Sequence, residues 1–246
     1  MQTTTHTQTP TALVFGGSRG IGSAIGRRLA KDGSNVSLTY VSSPDRAIET
    51  VAAIEGIGRQ ALAIKADSAN SADIQNAVRQ TVDRFGRLDT VVVNAGILRT
   101  GDFSSVGLDE LDLMLNVNVR GVFLAIQAAA AHLHRGGRII TIGSNTAVRS
   151  GHPGASVYSM TKAAVAVMVK GIAVDLAPRG ITINNIQPGP IATDMTKDLL
   201  DSLSSLIPLQ RVGEPDEIAA LVSYLASPES GYMTGSSLTI DGGMAL

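Results

Sequence analysis

The sequence predicts an α/β fold, a doubly wound parallel sheet with helices on both faces, and three observations predict it. Short, almost wholly apolar runs alternate with helix-length segments from one end of the chain to the other. A glycine-rich turn, Gly16-Gly17-Ser18-Arg19-Gly20-Ile21-Gly22, joins the first such run to the first helix. No Pro- or Ser-rich stretch and no repeat divides the 246 residues. Apolar strands separated by helices belong to parallel sheets covered on both faces. Residues 11–246 are therefore expected to form a single domain, behind a polar, threonine-rich tail over residues 1–10.

The elements follow in order. Ala12–Phe15 is an apolar run that stops at the glycines, and Ile21–Lys31 carries Ile21, Ile25 and Leu29 at helical spacing. Asn35–Tyr40 reads as a strand, Pro44–Glu55 as a helix opened by proline, and Ala61–Lys65 as a third strand. Ser71–Phe85 places Ile74, Val78 and Val82 on one stripe, and Thr90–Val93 is a buried strand. One long helix is expected from about Leu108 to His132, with His132, His134 and Arg135 at its end, where cations suit the dipole. Arg138–Ile142, a helix over Val157–Leu176, Ile181–Ile186, a helix over Pro215–Ala226 and a strand at Ser237–Ile240 complete the set.

Hydrophobic residues at 44% suffice for a sizeable core. Charged residues at 17% fall below the usual share of about 25%, so subunit contacts are expected to cover part of the surface. A net charge of −1 offers no electrostatic case for nucleic acid or an anionic membrane. The absence of cysteine excludes disulfides, thiolate catalysis and Cys-ligated metals, and fits a reducing cytoplasm. No metal site is expected. Gly, Asp, Arg or His interrupts every apolar run, so no membrane span is expected, and residues 1–10 lack the features of a signal peptide.

The glycine turn follows a strand and opens a helix, the context in which such turns hold a pyrophosphate. Glycines allow positive φ and a close backbone approach, while the helix start presents free N–H groups to the anion. Glycine-rich turns also serve tight packing alone, and Gly26 is read as a packing glycine. About twenty residues on, NAD sites carry Asp or Glu for the ribose 2′-hydroxyl. Tyr40 stands there instead, followed by Val41, Ser42 and Ser43, so no carboxylate repels a 2′-phosphate. Arg19 can pair with that phosphate, and Ser42 or Ser43 can donate to it. The alternative for Arg19 is a solvated surface arginine. NADP(H) is favoured, with NAD(H) as the second choice.

Taken with Asn94-Ala95-Gly96 and Tyr158-Ser159-Met160-Thr161-Lys162, the turn makes the chain resemble the classical short-chain dehydrogenase/reductase family, from about Thr11 to Gly243. The resemblance implies a Rossmann-like domain with a seven-stranded sheet, commonly a homotetramer, acting on small carbonyl or alcohol substrates. Within the family, 3-oxoacyl-carrier-protein reductases look most similar. It implies cofactor contacts from Gly16, Ser18, Arg19, Gly20, Ile21 and Gly22 in the turn, and from Asp67 and Ser68 around the adenine. Asn94, Ala95 and Gly96 would line the ribose, and Pro188, Gly189, Ile191 and Thr193 would hold the nicotinamide carboxamide. Asp241-Gly242-Gly243 resembles the family's C-terminal signature near the subunit interface. One position departs: Phe15 stands where the family usually has a threonine whose hydroxyl bridges to the fourth strand's end.

The catalytic residues expected from the resemblance are Asn118, Ser144, Tyr158 and Lys162. Tyr158 and Lys162 lie four apart, hence on one helix face. Free tyrosine has a pKa of about 10, and a nearby ammonium favours the phenolate. Carbonyl reduction needs such an acid, because a proton must reach the oxygen as hydride reaches the carbon. Lys162 would also hold the nicotinamide ribose. Ser144 follows a strand and so sits at the sheet's carboxyl end, able to stabilise charge on the substrate oxygen. It precedes Tyr158 by fourteen residues where thirteen is common, and Asn145 is the alternative. Asn118 would complete a proton relay through water to the lysine; a buried asparagine that satisfies backbone groups is the plainer reading.

Residues 194–210 are expected to cover the substrate, with Met195, Leu199, Leu203 and Leu206 as an apolar face, or as ordinary packing. His152 and Pro153 are expected near the pocket. A second reading comes from a different class. The glycine turn without its threonine, Leu38-Thr39-Tyr40 and Gln187-Pro188-Gly189-Pro190-Ile191 look similar to biofilm-dispersal members described as binding cyclic di-GMP, a nucleotide-binding regulator with little turnover.

Overall fold

The computed structural model describes residues 9–150, 153–194, 196 and 203–246. Seven strands run in chain order: β1 (Thr11–Phe15), β2 (Asn35–Tyr40), β3 (Ala61–Lys65), β4 (Leu88–Val93), β5 (Leu133–Ile142), β6 (Thr182–Pro188) and β7 (Ser237–Ile240). They form one parallel sheet in the order β3-β2-β1-β4-β5-β6-β7. The helices between them are α1 (Gly20–Lys31), α2 (Pro44–Gly56), α3 (Ser71–Phe85), α4 (Leu108–Leu115), α5 (Val122–Ala130), α6 (Ser156–Leu176) and α7 (Pro215–Ala226). The expected Rossmann-like fold is what forms.

Strand alternation divides the core into two layers. Leu13 and Phe15 of β1 face Ile74 and Val78 of α3, Val122 and Ile126 of α5, and Val165 and Val169 of α6. Ala12 and Val14 face the other way, against Ala24, Ile25 and Leu29 of α1, Ile54 of α2, and Ile218 and Val222 of α7. Full burial of a side chain such as Phe15 contributes roughly 1.5–3 kcal/mol.

Four expectations need correction. The helix from Leu108 is interrupted by a π-helical turn, Asn116–Gly121, before α5 resumes and ends at Ala130. His134 and Arg135 belong to β5, not to a helix end. The cation that caps α5 is Arg179, whose guanidinium donates to the carbonyls of Ala130 (2.7 Å) and Leu133 (2.8 Å). Gly26 is not forced by close packing, since a Cβ there would meet Ile54 and Val36 at ordinary contact distances of 3.5 and 3.7 Å. Finally, Leu108–Ala130 and Ser156–Arg179 are long and apolar enough to cross a membrane by length and composition alone. Both pack one face on the sheet, as core helices do.

Chain order reverses between β1 and β4, which lie side by side. Open α/β sheets bind ligands at such a switch point, outside the carboxyl ends of the strands. The glycine turn leaves β1 there, and Asn94 leaves β4.

Candidate active site

The turn after β1 is tied down on both sides. Gly16 N–H donates to Thr39 Oγ1 (2.9 Å) and Gly17 N–H to the Thr39 carbonyl (3.0 Å), both on β2. From β4, Asn94 donates its backbone N–H to Phe15 (3.2 Å) and its amide Nδ2 to the Gly16 carbonyl (2.7 Å). Phe15 therefore does not loosen the turn. Its ring is 1% exposed in the core, and the turn is tied to β4 through Asn94 and to β2 through Thr39. Gly16 has φ +72°, and its Cβ would lie 2.9 Å from Ala95 Cα. At Gly22 a Cβ would fall 2.0 Å from the Gly16 carbonyl oxygen.

No side chain caps α1; among the described residues Ser23 N–H donates to the Arg19 carbonyl (3.2 Å), while the N–H groups of Gly20, Ile21 and Gly22 at the helix start have no protein acceptor. That open N-terminus, the tight glycine turn and the cation of Arg19 fit a dinucleotide phosphate. Arg19 is exposed and reaches to 3.9 Å from Asp194. Beside it opens a cavity of about 250 Å³ lined by Ser18, Arg19, Arg27, Arg46 and Glu49. Arg46, on the first turn of α2, escaped the sequence reading because it looks like a solvated helix residue; its partner there is Glu49 at 3.4 Å. Ser43 precedes α2 with no cap bond from its hydroxyl, and Ser42 is exposed beside it. Tyr40 ends β2 half-buried against the α1–α2 layer.

The other expected cofactor residues also lie along this edge. Asp67 is exposed after β3, its carboxylate accepting from Ala69 N–H (2.8 Å). The Ser68 carbonyl lies against Gly121, whose Cβ would come within 2.1 Å of it. Asn94, Ala95 and Gly96 follow β4, and Gly189 follows β6 after Pro188, its last residue. Ile191 is buried and bridges to Gly213. Thr193 stands across from Gly20, with 3.3 Å between its Cγ2 and a Cβ built there. This brings the far loop onto the glycine turn.

The four expected catalytic residues come from three elements. Lys162 of α6 is 7% exposed, and its Nζ donates to the Ile142 carbonyl at the end of β5 (3.1 Å). It lies 5.6 Å from the centre of the Tyr158 ring. Two of its three N–H bonds have no protein acceptor among the described residues. Asn118 sits in the π-helical turn, where the extra residue rotates it inward. Its Nδ2 donates to the Ile97 carbonyl (2.8 Å) and Thr161 Oγ1 (3.2 Å), and its Oδ1 accepts from Ile97 N–H (2.9 Å). A Cβ on Gly96 would meet Asn118 Oδ1 at 3.3 Å and Lys162 Nζ at 3.4 Å, so this glycine keeps the space between them open. Asn116, by contrast, is exposed.

Ser144 is 7% exposed and begins a 3-10 turn over Asn145–Ala147. Its Oγ accepts from Thr146 N–H (3.2 Å) and Thr146 Oγ1 (3.0 Å), which leaves its own proton without an acceptor among the described residues. Asn145 turns away and donates to Asp241 Oδ2 (3.2 Å). Of the substrate-side residues, His152, Met195, Lys197, Asp198 and Leu199 lie outside the described residues. Pro153 is exposed. Leu206 is exposed at 58% and is not the apolar anchor of its segment; Ile207, at 1%, fills that place under Gly242. No cluster of three His, Asp or Glu suited to a metal occurs among the described residues.

A family model described as Enoyl-(Acyl carrier protein) reductase matches residues 16–245. The chain is 42% identical over 235 residues to the cyclic-di-GMP-binding biofilm dispersal mediator protein of Escherichia coli, covering 94% of this chain and 95% of that one. To a 3-oxoacyl-(acyl-carrier-protein) reductase of Synechocystis it is 39% identical over 239 residues, 96% of each. The crystal structure of a short chain dehydrogenase from Burkholderia cenocepacia in complex with NADP superposes with a TM-score of 0.93 at 47% identity, over 97% of this chain and 99% of that one.

Proposed function

The chain belongs to the short-chain dehydrogenase/reductase family, and we propose that it is an NADP(H)-dependent reductase of a ketone, aldehyde or 3-oxoacyl compound, or the matching alcohol dehydrogenase in reverse. The observation that carries the reading is the buried Lys162 ammonium beside the Tyr158 ring, with donors to spare, at the carboxyl edge of the sheet. NADPH supplies the hydride when bound. The chain's own residues do the rest. Ser144 directs its unspent proton at the substrate oxygen, and Tyr158 delivers a proton to that oxygen as charge builds on it. Lys162 holds the ribose hydroxyls with the donors that its bond to Ile142 leaves over. Asn118 Oδ1, facing the gap over Gly96, receives the water through which Lys162 is resupplied with protons.

Arg19 and Arg46 are assigned to the 2′-phosphate, with Ser42 and Ser43 beside them and no carboxylate at Tyr40 to repel it. Asp67 and Ser68 are assigned to the adenine. Asn94, Ala95 and Gly96 take the ribose, and Pro188, Gly189, Ile191 and Thr193 the carboxamide. We further propose that residues 11–246 act as one domain in a cytoplasmic homotetramer with no metal, nucleic-acid or membrane partner.

The similarity to the E. coli protein favours one other reading, a regulator that binds a cyclic dinucleotide at the arginine-lined cavity. The purified protein is titrated with NADPH and with cyclic di-GMP, then screened for NADPH oxidation with a panel of ketones and acetoacetyl-coenzyme A. Oxidation of NADPH supports the reductase. No oxidation with any carbonyl, alongside tight cyclic-dinucleotide binding, supports the regulator.

A further inference from the structure

Asp241 lies 96 residues from Asn145 in sequence, yet its carboxylate binds the turn that carries Ser144. Oδ2 accepts from Asn145 Nδ2 (3.2 Å) and from Ala245 N–H (2.8 Å), while Oδ1 accepts from Gly243 N–H (3.0 Å). The same residue seats the loop after β6. Gly189 N–H donates to the Ile240 carbonyl (3.0 Å), and a Cβ on Gly189 would lie 2.6 Å from Asp241 Cβ and 2.8 Å from its Cα. Only a glycine lets the two backbones come so close.

Asp241 therefore touches two segments that a carbonyl reduction must keep in register. One presents Ser144 to the substrate oxygen; the other is the loop assigned to the nicotinamide carboxamide. Asn145 is 8% exposed, and a buried amide left without its acceptor is costly, so the bond holds the turn. Displacements of about 1 Å at such distances from the chemistry can cost on the order of a hundredfold in rate.

We infer that Asp241 is a positioning residue, which acts through Asn145 to fix Ser144 relative to the cofactor loop at Gly189. The inference rests on the reductase reading. It gives Asn145 a task other than that of substitute for Ser144.

Asn145→Ala removes the bond while leaving Asp241 its two backbone donors, so the C-terminal turn persists. In this variant kcat for acetoacetyl-coenzyme A falls about tenfold, and NADPH affinity, measured by its fluorescence, stays within twofold. Amide hydrogen exchange quickens at Thr146 and Ala147 but not across residues 16–22. Asp241→Ala removes the same bond from the other side together with the contacts to Gly243 and Ala245, so its loss of kcat is at least as large, and adding Asn145→Ala to it costs no further activity. Wild-type kcat and unchanged exchange in Asn145→Ala would overturn the inference alone, as would losses that multiply in the double variant. Failure of the wild-type protein to oxidise NADPH with any carbonyl would remove the reductase reading and this inference together.

Discussion

At the scale of single residues, the proposed site divides into groups assigned to chemistry and groups assigned to the choice of cofactor. Tyr158→Phe removes the one hydroxyl assigned to proton delivery and leaves the ring against Lys162. General acid catalysis contributes typically about 10²–10⁴-fold, so turnover should fall by at least that factor while NADPH binding stays near wild type. Steady-state rates and a fluorescence titration check both halves; retained activity would remove Tyr158 from the mechanism. Arg46 makes a separate claim. An exposed pair with Glu49 contributes little to stability, so Arg46→Ala should melt with the wild type. A charge-assisted contact to a phosphate is worth about 1.5–3 kcal/mol. The variant's kcat/KM with NADPH should therefore drop about tenfold or more, while its value with NADH stays level. Equal losses with both cofactors would show that Arg46 does not read the 2′-phosphate.

At the scale of elements, what was legible in the sequence had local causes. Six of the seven strands and the helices from Ile21, Pro44, Ser71, Val157 and Pro215 lie within a residue or two of where apolar period, a proline start or a glycine stop puts them, while β5 begins at Leu133, five residues before the expected Arg138. The break in the helix from Leu108 has no local signal, because the bonds at the break are tertiary. Asn118 reaches Ile97 and Thr161, which no window of sequence around it contains. Arg179 capping α5 and Asp241 holding Asn145 were hidden for the same reason. The Ser144–Asn145 ambiguity was real at the level of spacing, and only the direction in which Asn145 turns separates the two.

The start of α7 makes a further element-level claim. Glu217 accepts from Glu214 N–H (2.8 Å) and forms a two-bond pair with Arg211 (2.8 Å each). These contacts, Arg211 foremost, pull its carboxyl well below the ordinary glutamate value, to about 2. A lowered folded-state pKa stabilises the fold above the unfolded-state pKa, and that stability is lost as pH falls through the folded value. Glu217→Gln should accordingly lower Tm at pH 7 by about 1–3 °C, the modest effect of an exposed pair. The gap should narrow from about pH 4.5 towards 2. A gap that persists unchanged in acid would assign the effect to the side chain's shape and not to its charge.

At the scale of the whole molecule, α6 carries apolar side chains on its outer face as well as its inner one. Its inner face is buried by Val165, Val169, Ala173 and Leu176, and from this face Lys162 reaches β5. Its outer face carries Met160, Val167 and Val174 at intervals of seven residues, exposed by 48%, 67% and 73%. An apolar stripe at intervals of seven residues is the spacing at which one helix seats against another. Phe123 of α5 adds an exposed ring to the same layer of helices. The low share of charged residues fits a surface partly covered by copies of the same chain. If the proposed homotetramer uses this stripe, a charge at its centre cannot be buried without a partner. Val167→Glu should then shift the mass seen by light scattering from about four times 25.4 kDa to half that or less. Its Tm should also fall, and the wild-type Tm should rise with protein concentration, as it does for an assembly whose stability includes subunit contacts. An unchanged tetramer would move the interface to another face, such as the exposed edge of β7. Release of the wild type from vesicles only by detergent would mean that a bilayer covers the stripe instead.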